Sequence, residues 1–547
     1  MNDAGHQQML DVDNLQVFYL QEGKPQPVLN SISFKLCKGE IVSLLGESGS
    51  GKSTIAKALT GLLPPSAQLA DGIMKLKDHP PMQLSAPSGA WIDIRGRGIA
   101  MLFQDARLAL NPMMTIKDHF YETLKVHGLA GDKLESAAII EGWLSRLHFS
   151  HPFQIMNAYP HELSGGMCQR ICLALTLCLR PQVLIADEPT SALDTVNQRE
   201  VLELIRNLQQ ELDLSVLLIT HDIGLAQAIS HRTIVLHKGN IVEEGDTADL
   251  LAKPRHSYTR RLLNSRMLAS SSEDIPSSGE PFVLELKQLV KVFDQRRIVL
   301  DKINLHVRKG EIVGILGQSG CGKSTLTRCM LGLEPVNSGA IHLLGRNITF
   351  LKGKERRKLA RHIQLVFQDA RASLNPHESA LELVQAPLKT FRIGSRKERL
   401  EHARHLLDEV GITGSAQHRR PPQLSTGQCQ RIAIARALAL QPDVLVCDEA
   451  VSALDMNVQT QILELLQRLH QQFGFSMIMI SHDVRVLRAF CHQIAVMHEG
   501  KFIERLSGKE LSSSEHPHTS LLLRCADELS ELSERKATNK HMEVVRS

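Results

Sequence analysis

The sequence predicts an α/β protein built from two tandem copies of one domain. Five short motifs recur in the same order in both halves of the 547-residue chain. Equivalent positions lie 271 residues apart at Lys52 and Lys323 and 261 apart at Asp187 and Asp448, a nearly constant offset that indicates two long repeats rather than a solenoid. Within each copy, short apolar β-branched runs alternate with longer amphipathic segments, the pattern of an α/β domain.

Composition excludes several classes of protein. Lys and Arg number 63 against 59 Asp and Glu, a net charge of +4, and aromatic residues make up only 4% of the chain, so we expect no nucleic-acid partner. No run approaches the roughly 20 apolar residues that cross a bilayer, and the start MNDAGHQQML has no secretion signal. The ten cysteines lack paired spacing, as expected of reduced thiols in a cytoplasmic protein.

Composition also predicts the domain boundaries. The segment Ser270–Pro281 contains Ser, Pro, Gly and acidic residues with almost nothing apolar, so it is predicted to be an exposed linker. The prediction is a first domain at 1–269, a linker at 270–281, a second domain at 282–526 and a polar tail at 527–547. In the first copy, the Pro- and Ser-rich segment Lys77–Gly89 is predicted to be a loop.

The motif GxxxxGK[ST] appears once in each copy and predicts a phosphate-binding loop. In the first copy it follows a predicted strand, Ile41–Leu45, and opens a predicted helix, Ser53–Leu62, the strand–loop–helix context that a P-loop requires. Glycines let backbone N–H groups converge on phosphate oxygens, and the lysine reaches the β- and γ-phosphates. A chance glycine loop is the alternative, and two matches argue against it. The predicted nucleotide-binding residues are Gly46, Ser48, Gly49, Gly51, Lys52, Ser53, Thr54, Gly317, Ser319, Gly320, Gly322, Lys323, Ser324 and Thr325.

Two acidic residues end a predicted apolar strand in each copy, in VLIADE and VLVCDE. The first acid, Asp187 or Asp448, is predicted to hold Mg²⁺ together with the hydroxyl of Ser53 or Ser324. The second, Glu188 or Glu449, is predicted to be the general base that activates water. A lone Asp-Glu pair is usually only an acidic turn, but here it lies downstream of a P-loop in both copies.

A glutamine and a histidine complete each set. Gln104 and Gln368 follow apolar runs and are predicted to reach the metal or the attacking water. His221 and His482 follow the strands Val216–Thr220 and Ser476–Ser481 and are predicted to contact the γ-phosphate side. Taken alone, such a glutamine is usually solvated and such a histidine structural; the duplication favours the catalytic interpretation.

The sequences LSGGM and LSTGQ each place a serine and glycine before an apolar helix, which predicts a second phosphate site. The predicted contacts are Ser164, Gly165, Gly166, Ser425 and Gly427. One domain does not need two γ-phosphate sites. If the P-loop of one copy faces the serine-glycine segment of the other, both segments are used and two nucleotides lie between the copies.

These motifs, in this order, resemble those of ATP-binding cassette (ABC) ATPases over nearly all of both halves. The resemblance implies two P-loop NTPase domains, each with a RecA-like core, an antiparallel β subdomain and a helical subdomain, and it implies ATP and Mg²⁺ as cofactors. It also implies head-to-tail pairing of the halves. Site one would then combine the first P-loop with Ser425 and Gly427, and site two the second P-loop with Ser164, Gly165 and Gly166. An aromatic residue stacks on adenine in this family, and Tyr19 and Phe293 are the candidates.

Further motifs are similar to those of the oligopeptide, dipeptide and nickel importers: FQDARxxLNP in both halves, YPHELSGGM, and PRHSYTRRLL or EHPHTSLLL after each domain. This resemblance implies two separate permease subunits, an extracytoplasmic solute-binding protein and peripheral attachment to the cytoplasmic face of the cell membrane. The cargo would be a peptide, nickel or a metal–metallophore complex. Permease helices would bind near Gln104 and Gln368, beside the predicted helical stretches Ile116–Phe149 and Glu378–Val410.

Three positions depart from the family pattern: Met167, Thr426 and Ala450. Both glutamates and both histidines are retained, so we expect two competent sites. Thr426 would face site one and could crowd the γ-phosphate, so site one is expected to be the slower if either is. Cys525 stands alone, which predicts no iron–sulfur cluster, and His516 and His518 are interpreted as solvated surface residues. The alternative function is that of a soluble twin-cassette ATPase acting on ribosomes; such proteins usually have a long charged arm between the cassettes, which is not found here.

Overall fold

The computed structural model describes residues 7–21, 24–129, 131, 133–191, 193–264, 279–294, 297–452 and 454–526. They form two compact α/β units, the first ending by Arg266 and the second at Ala526. The start of the predicted linker 270–281 and the whole predicted tail 527–547 lie outside the described residues. The prediction of two tandem α/β domains is confirmed.

The first unit contains ten strands and ten helices among its described residues. The strands are β1 (Gln8–Gln21), β2 (Lys24–Cys37), β3 (Ile41–Leu45), β4 (Ala67–Leu76), β5 (Met82–Gln83), β6 (Ile99–Leu102), β7 (Val183–Asp187), β8 (Ser215–Thr220), β9 (Arg232–His237) and β10 (Asn240–Asp246). The helices are α1 (Lys52–Leu59), α2 (Ala106–Ala109), α3 (Ile116–Val126), α4 (Lys133–Arg146), α5 (Pro152–Asn157), α6 (Gly165–Leu177), α7 (Thr195–Leu212), α8 (Ile223–Ile229), α9 (Thr247–Ala252) and α10 (Ser257–Asn264).

The second unit repeats the order of the ten strands. Its strands are β11 (Phe282–Phe293), β12 (Arg297–Arg308), β13 (Ile312–Gly317), β14 (Ser338–Leu343), β15 (Arg346–Asn347), β16 (Ile363–Val366), β17 (Val444–Asp448), β18 (Ser476–Ser481), β19 (Gln493–His498) and β20 (Lys501–Ser507). Its helices are α11 (Lys323–Leu331), α12 (Gly353–Ala360), α13 (Ala370–Ser373), α14 (Ala380–Phe391), α15 (Arg396–Glu409), α16 (Thr426–Leu438), α17 (Met456–Phe473) and α18 (Val484–Phe490). Relative to the first unit, α12 is an additional helix before β16. Residues 517–526 are also helical.

A six-stranded sheet forms the centre of each unit. In the first unit the strand order is β10-β9-β3-β8-β7-β6, and only the β9–β10 pair is antiparallel. The second unit has the order β16-β17-β18-β13-β19-β20. Every residue of β3 is buried, as expected for a parallel strand covered on both faces.

Different layers cover the two faces of the first central sheet. On one face Val42 and Leu44 pack with Leu10 and Val12 of the antiparallel sheet β2-β1-β4-β5. On the other face Ile41 and Leu184 share a core with the helical layer, whose buried residues include Phe120, Leu144 and Ile171. The three parts implied by the family resemblance are therefore present, and β12-β11-β14-β15 is the matching antiparallel sheet of the second unit.

Two local predictions need correction. The segment Lys77–Gly89, predicted as a loop, includes β5, which pairs Met82 with Met74 and extends the antiparallel sheet. The helix predicted at Ser53–Leu62 is α1, which ends at Leu59 because Gly61 adopts a left-handed conformation with φ +63°. None of the helices within the described residues is long and apolar enough to span a membrane.

Candidate functional site

Parallel strands bring the predicted catalytic residues of each unit to one edge of the sheet. In the first unit the P-loop follows β3 and Gln104 follows β6. Asp187 ends β7, Glu188 comes directly after it, and His221 follows β8. Because these strands are parallel neighbours, their carboxyl ends open on the same crevice, the usual ligand site of such sheets. The second unit assembles its own set in the same way, from β13, β16, β17 and β18.

Each P-loop has the conformation of an anion cradle. Gly49 and Gly51 have φ of +80° and +109°, values that glycine adopts without strain. A Cβ on Gly51 would come within 2.6 Å of Leu29 Cδ2, so only glycine fits the turn. The predicted contacts Ser48 and Ser53 are exposed and Thr54 is half-buried, as are Ser319, Ser324 and Thr325 respectively in the second unit.

The P-loop lysines fold back onto their own loops. Lys52 Nζ donates to the carbonyls of Gly46 at 2.7 Å and Glu47 at 3.0 Å. Lys323 donates to Gly317 at 2.7 Å and Gln318 at 2.8 Å. Each ammonium group is therefore held by backbone carbonyls in this structure, and it would have to leave at least one of them to reach phosphate oxygens as predicted.

The first acid of each pair is suited to hold a divalent cation. Ser53 Oγ donates to Asp187 Oδ1 at 3.2 Å, so the two oxygen ligands predicted for Mg²⁺ are adjacent. Burial raises the pKa of Asp187, and the neighbouring Glu188 adds to the rise. In the second unit burial and the adjacent Glu449 raise the pKa of Asp448 to about 6. A bound cation stabilises the ionised form of such a buried carboxyl group, which burial disfavours. Oxygen atoms are also the ligands that Mg²⁺ prefers.

Two side chains hold Glu188, the predicted general base. Gln104 Nε2 donates to Glu188 Oε2 at 2.8 Å, and His221 Nδ1 lies 3.0 Å from Oε1. Burial favours the neutral acid, but the hydrogen bond and charge of His221 outweigh it, so the pKa of Glu188 is lowered. Burial alone would lower the pKa of His221, which Glu188 raises. Glu188 is therefore an oriented, ionised carboxylate.

Backbone geometry also fixes these carboxylates. Glu188 has a φ of +46° and Glu449 one of +47°, a left-handed conformation that is strained for a side chain of this size. Each glutamate N–H donates to the neighbouring strand, to Ile219 at 2.9 Å and to Ile480 at 3.0 Å respectively. This backbone conformation recurs at both predicted bases.

The second site repeats the network with one looser contact. Gln368 Nε2 donates to Glu449 Oε2 at 2.9 Å. His482 Nδ1 lies 3.6 Å from Glu449 Oε1, longer than the 3.0 Å between His221 and Glu188 and beyond the usual hydrogen-bond range. The duplicated sequence motifs give no indication of this difference.

The predicted signature residues begin a long helix in each unit. Ser164 is the N-cap of α6 and its hydroxyl accepts from Met167 N–H at 3.2 Å. Ser425 caps α16 in the same way through Gln428 N–H, and Gln428 Oε1 accepts from Ser425 N–H at 3.0 Å. Met167 has no oxygen with which to return that bond. Both serines are exposed, Gly165 and Gly427 are half-buried, Gly166 is buried, and Thr426 is exposed.

The adenine candidates lie at the ends of the β1–β2 and β11–β12 hairpins. Tyr19 pairs with Gln26 and packs partly against the core of its unit. Phe293 pairs with Arg297, and Lys291 Nζ lies 4.6 Å from the centre of its ring. Both rings are half-buried.

One contact at the first P-loop was not anticipated from sequence. The hydroxyl of Tyr258, from the PRHSYTRRLL segment, accepts a hydrogen bond from Glu47 N–H at 3.1 Å. An alignment of this segment with EHPHTSLLL of the second copy would have drawn attention to Tyr258, because both segments follow the last strand of their unit. The interpretation of His518 as a solvated surface residue is wrong: its ring is half-buried and stacks on His498 with centroids 3.8 Å apart.

Other predictions concern thiols and metal clusters. Nine of the ten cysteines are buried, among them Cys168 and Cys172, and Cys37 is half-buried; all ten are free thiols. Within the described residues, His, Cys, Asp and Glu do not gather into a group of three or more able to hold a metal ion.

Comparison with known proteins places both units in one family. The model of the ABC transporter family matches residues 29–191 and 300–452. The chain is 37% identical over 515 residues to the uncharacterized ABC transporter ATP-binding protein YejF of Escherichia coli (strain K12), covering 91% of this chain and 96% of YejF. It is 34% identical over 555 residues to the glutathione import ATP-binding protein GsiA of Pectobacterium atrosepticum, covering 94% of this chain and 89% of GsiA.

Two matched segments, one in each unit, account for the duplicated motifs, and the relatives align over nearly their whole length. Each matched segment includes the P-loop and the Asp-Glu pair of its unit. The chain therefore belongs to the ABC transporter family, as an ABC ATPase with two ATP-binding cassettes in one polypeptide.

Proposed function

We propose that this chain powers an ABC importer by hydrolysing ATP at two clefts, each shared between the P-loop of one cassette and the signature serine of the other. The observation that carries the proposal is the Gln–Glu–His network, which recurs around Glu188 and Glu449. Site one would combine Lys52, Ser53, Gln104, Asp187, Glu188 and His221 with Ser425 and Gly427. Site two would combine Lys323, Ser324, Gln368, Asp448, Glu449 and His482 with Ser164, Gly165 and Gly166.

Glu188 acts as the general base in this mechanism. Its ionised carboxylate accepts a proton from water while the water oxygen bonds to the γ-phosphorus and the bond to the bridging oxygen breaks, releasing ADP and phosphate. Gln104 and His221 hold the two carboxylate oxygens, so the base is oriented before the substrate arrives. Glu449 performs the same step at site two.

The P-loop and the first acid bind the nucleotide. Lys52 leaves the Gly46 or Glu47 carbonyl for the β- and γ-phosphates, and Ser53 with Asp187 would hold Mg²⁺. The cation, when bound, neutralises charge that develops on the phosphate oxygens. In the shared cleft, the signature serines and the N–H groups beginning α6 and α16 complete the phosphate contacts.

The partners we propose are two permease subunits at the cytoplasmic face of the cell membrane, with a solute-binding protein outside. A cavity of about 430 Å³ is lined by Phe103, Gln104 and Leu108 and also by Ser53 and Asp187. It therefore belongs to the proposed nucleotide site, and the permease surface we propose is the exposed apolar residues at its edge. Leu108 is 85% exposed and Met113 83%. Exposed apolar side chains beside a concave surface suit a partner helix, and a helix bound here would contact the loop that carries Gln104.

We propose peptides as the cargo, with glutathione the first to test. The support is the name of the GsiA relatives, glutathione import ATP-binding protein. Nickel and metal–metallophore complexes are the competing cargoes, because subfamily motifs are shared with nickel importers. Cargo selection belongs to the permease and the solute-binding protein, so the ATPase chain does not determine it.

The test is uptake by a strain that lacks this chain. Restoring the natural chain should restore accumulation of one radiolabelled cargo among glutathione, a dipeptide and nickel. A Lys52→Ala/Lys323→Ala chain should not restore it.

The proposed permease surface is tested by Leu108→Asp, which should lower uptake while the purified chain keeps its basal ATPase rate. Co-purification with ribosomes and not with membrane proteins, with uptake of all three cargoes unaffected by the deletion, would contradict the proposal and favour the translational alternative.

A further inference from the structure

The segment after the last strand of the first cassette returns to the P-loop. Tyr258, in α10, is 2% exposed, and its hydroxyl accepts from Glu47 N–H at 3.1 Å. That N–H belongs to the same peptide group as the Gly46 carbonyl, which accepts from Lys52 Nζ at 2.7 Å. One peptide plane at the base of the P-loop is therefore held on its two edges, by Lys52 on one side and by Tyr258 on the other.

Rigid neighbours fix the Tyr258 ring. It stacks on His237, the last residue of β9, with centroids 3.9 Å apart. Its backbone N–H donates to His256 Nδ1 at 3.2 Å. The Glu243 carboxylate of β10 accepts from Arg255 N–H at 2.7 Å and from His256 N–H at 3.0 Å. These contacts set the position of the hydroxyl through the sheet, independently of any nucleotide.

The second cassette supplies a matched comparison. His518 occupies the position of Tyr258, stacks on His498 at 3.8 Å and donates its N–H to His516 Nδ1 at 3.2 Å. Ser514 Oγ donates to Glu504 Oε2 at 2.7 Å, so this segment is also tied to the last strand of its cassette. The imidazole is shorter than a phenol, and its buried Nε2 makes no hydrogen bond to any described residue.

We propose that Tyr258 is a positioning residue for nucleotide binding at site one, and that His518 gives no such support at site two. When Lys52 leaves the Gly46 carbonyl for phosphate, the Gly46–Glu47 peptide loses one of its two side-chain bonds. The Tyr258 hydroxyl then retains the peptide in the orientation that begins the cradle. The effect belongs to binding, because the bond that Tyr258 makes is to the peptide that begins the phosphate cradle. This inference rests on the use of Lys52 in the proposed function.

Equilibrium binding to the full-length chain tests the proposal. In a Lys323→Ala background only site one retains its P-loop lysine, and in a Lys52→Ala background only site two does. The probe is the magnesium complex of a non-hydrolysable ATP analogue. Tyr258→Phe removes one oxygen and keeps the stacked ring, so the loss of a single hydrogen bond should raise the Kd of site one about three- to tenfold.

Controls separate positioning from a general structural role. In the Lys52→Ala background, the Kd of site two should stay within about twofold of the parent value when Tyr258→Phe is added. The same result is expected for His518→Phe. In hydrolysis by site one, the KM for ATP should rise by more than kcat falls, and Tyr258→His should give a similar loss. The thermal unfolding midpoint of Tyr258→Phe should match that of its parent.

An unchanged Kd for site one in Tyr258→Phe would overturn the proposal. So would equal losses at both sites, because that result indicates a general loss of structure. Failure of the proposed function would give a different result. The Lys323→Ala chain with Tyr258 intact would bind no analogue at all, and that would overturn both the proposed function and the role of Tyr258.

Discussion

Gln104 and Glu188 lie at the ends of different strands, yet the amide of Gln104 donates to the Glu188 carboxylate at 2.8 Å. The same bond, at 2.9 Å, joins Gln368 to Glu449. Gln104 follows directly after Phe103, which is 41% exposed beside the 430 Å³ cavity. A partner that moves this loop would therefore move a side chain that is hydrogen-bonded to Glu188, the proposed general base. The bond is a physical connection between the proposed permease surface and the proposed site of hydrolysis.

The first prediction concerns the two bases. Glu188→Gln and Glu449→Gln remove the proton acceptor while preserving size, so each should stop hydrolysis at its own site without abolishing ATP binding. General-base loss typically costs about 10²- to 10⁴-fold in rate. Single-turnover hydrolysis of each variant measures what the remaining site contributes. If site one is slower, as Thr426 suggests, the losses in the two variants will differ; equal losses would contradict that asymmetry.

The second prediction concerns the link through Gln104. Gln104→Ala removes the bond to Glu188 and leaves His221 in place, so basal hydrolysis should fall about tenfold or less. Stimulation of hydrolysis by the cognate permeases in lipid vesicles should fall further, because the loop can no longer act on the base. The matched variant is Gln368→Ala. Full permease stimulation in the double variant would show that coupling takes another route.

The third prediction concerns the helix caps of the two signatures. Ser425 and Gln428 form a reciprocal capping box at α16, whereas Met167 leaves α6 with a single capping bond. Met167→Gln should therefore stabilise the start of α6 by about 0.5–1 kcal/mol, and Gln428→Met should destabilise α16 by a similar amount. Hydrogen exchange of the amides in the first turns measures both changes. Unaltered protection in both variants would be inconsistent with this account.

The fourth prediction concerns pH and the turn before β3. Arg232 Nε donates to Glu40 Oε1 at 2.9 Å, and Cys37 N–H donates to Oε2 at 2.9 Å. Burial opposes ionisation, but the bonds and charge of Arg232 outweigh it, so the pKa of Glu40 lies below its ordinary value of 4.5. A lowered folded-state pKa contributes stability that is fully present above the unfolded value and is lost as pH falls through the folded one.

Glu40→Gln should therefore lower the free energy of unfolding of the first cassette by about 1–3 kcal/mol near neutral pH. The difference from the natural chain should shrink as pH falls below about 4.5. Urea unfolding of both chains at several pH values measures it. A difference that stays constant with pH would mean that the Glu40 charge does not contribute.

Much of the architecture could be predicted because it depends on local pattern. The strand prediction Ile41–Leu45 and that at Ser476–Ser481 match β3 and β18, since continuous apolar runs bounded by turn residues leave few alternatives. The candidate P-loop, Gln, Asp-Glu and His residues could be located because each of them follows or ends such a strand. The repetition of the same pattern in both halves supported the strand predictions and the location of the motifs.

The remaining features depend on distances that motifs do not encode. The sequence places His221 and His482 identically, yet they lie 3.0 and 3.6 Å from their glutamates. The contact between Tyr258 and Glu47 joins residues 211 positions apart. It depends on the orientation of the Tyr258 ring, which stacks on His237.

The central claim is that each ATP is held by both cassettes. The most direct measurement is the distance from Ser425 Oγ to the nearest γ-phosphate oxygen in an ATP-bound structure of the Glu188→Gln/Glu449→Gln chain. The account predicts a hydrogen bond of about 2.5–3.2 Å to the ATP whose phosphates contact Lys52. ATP bound by the first cassette alone, with Ser425 facing solvent, would contradict it.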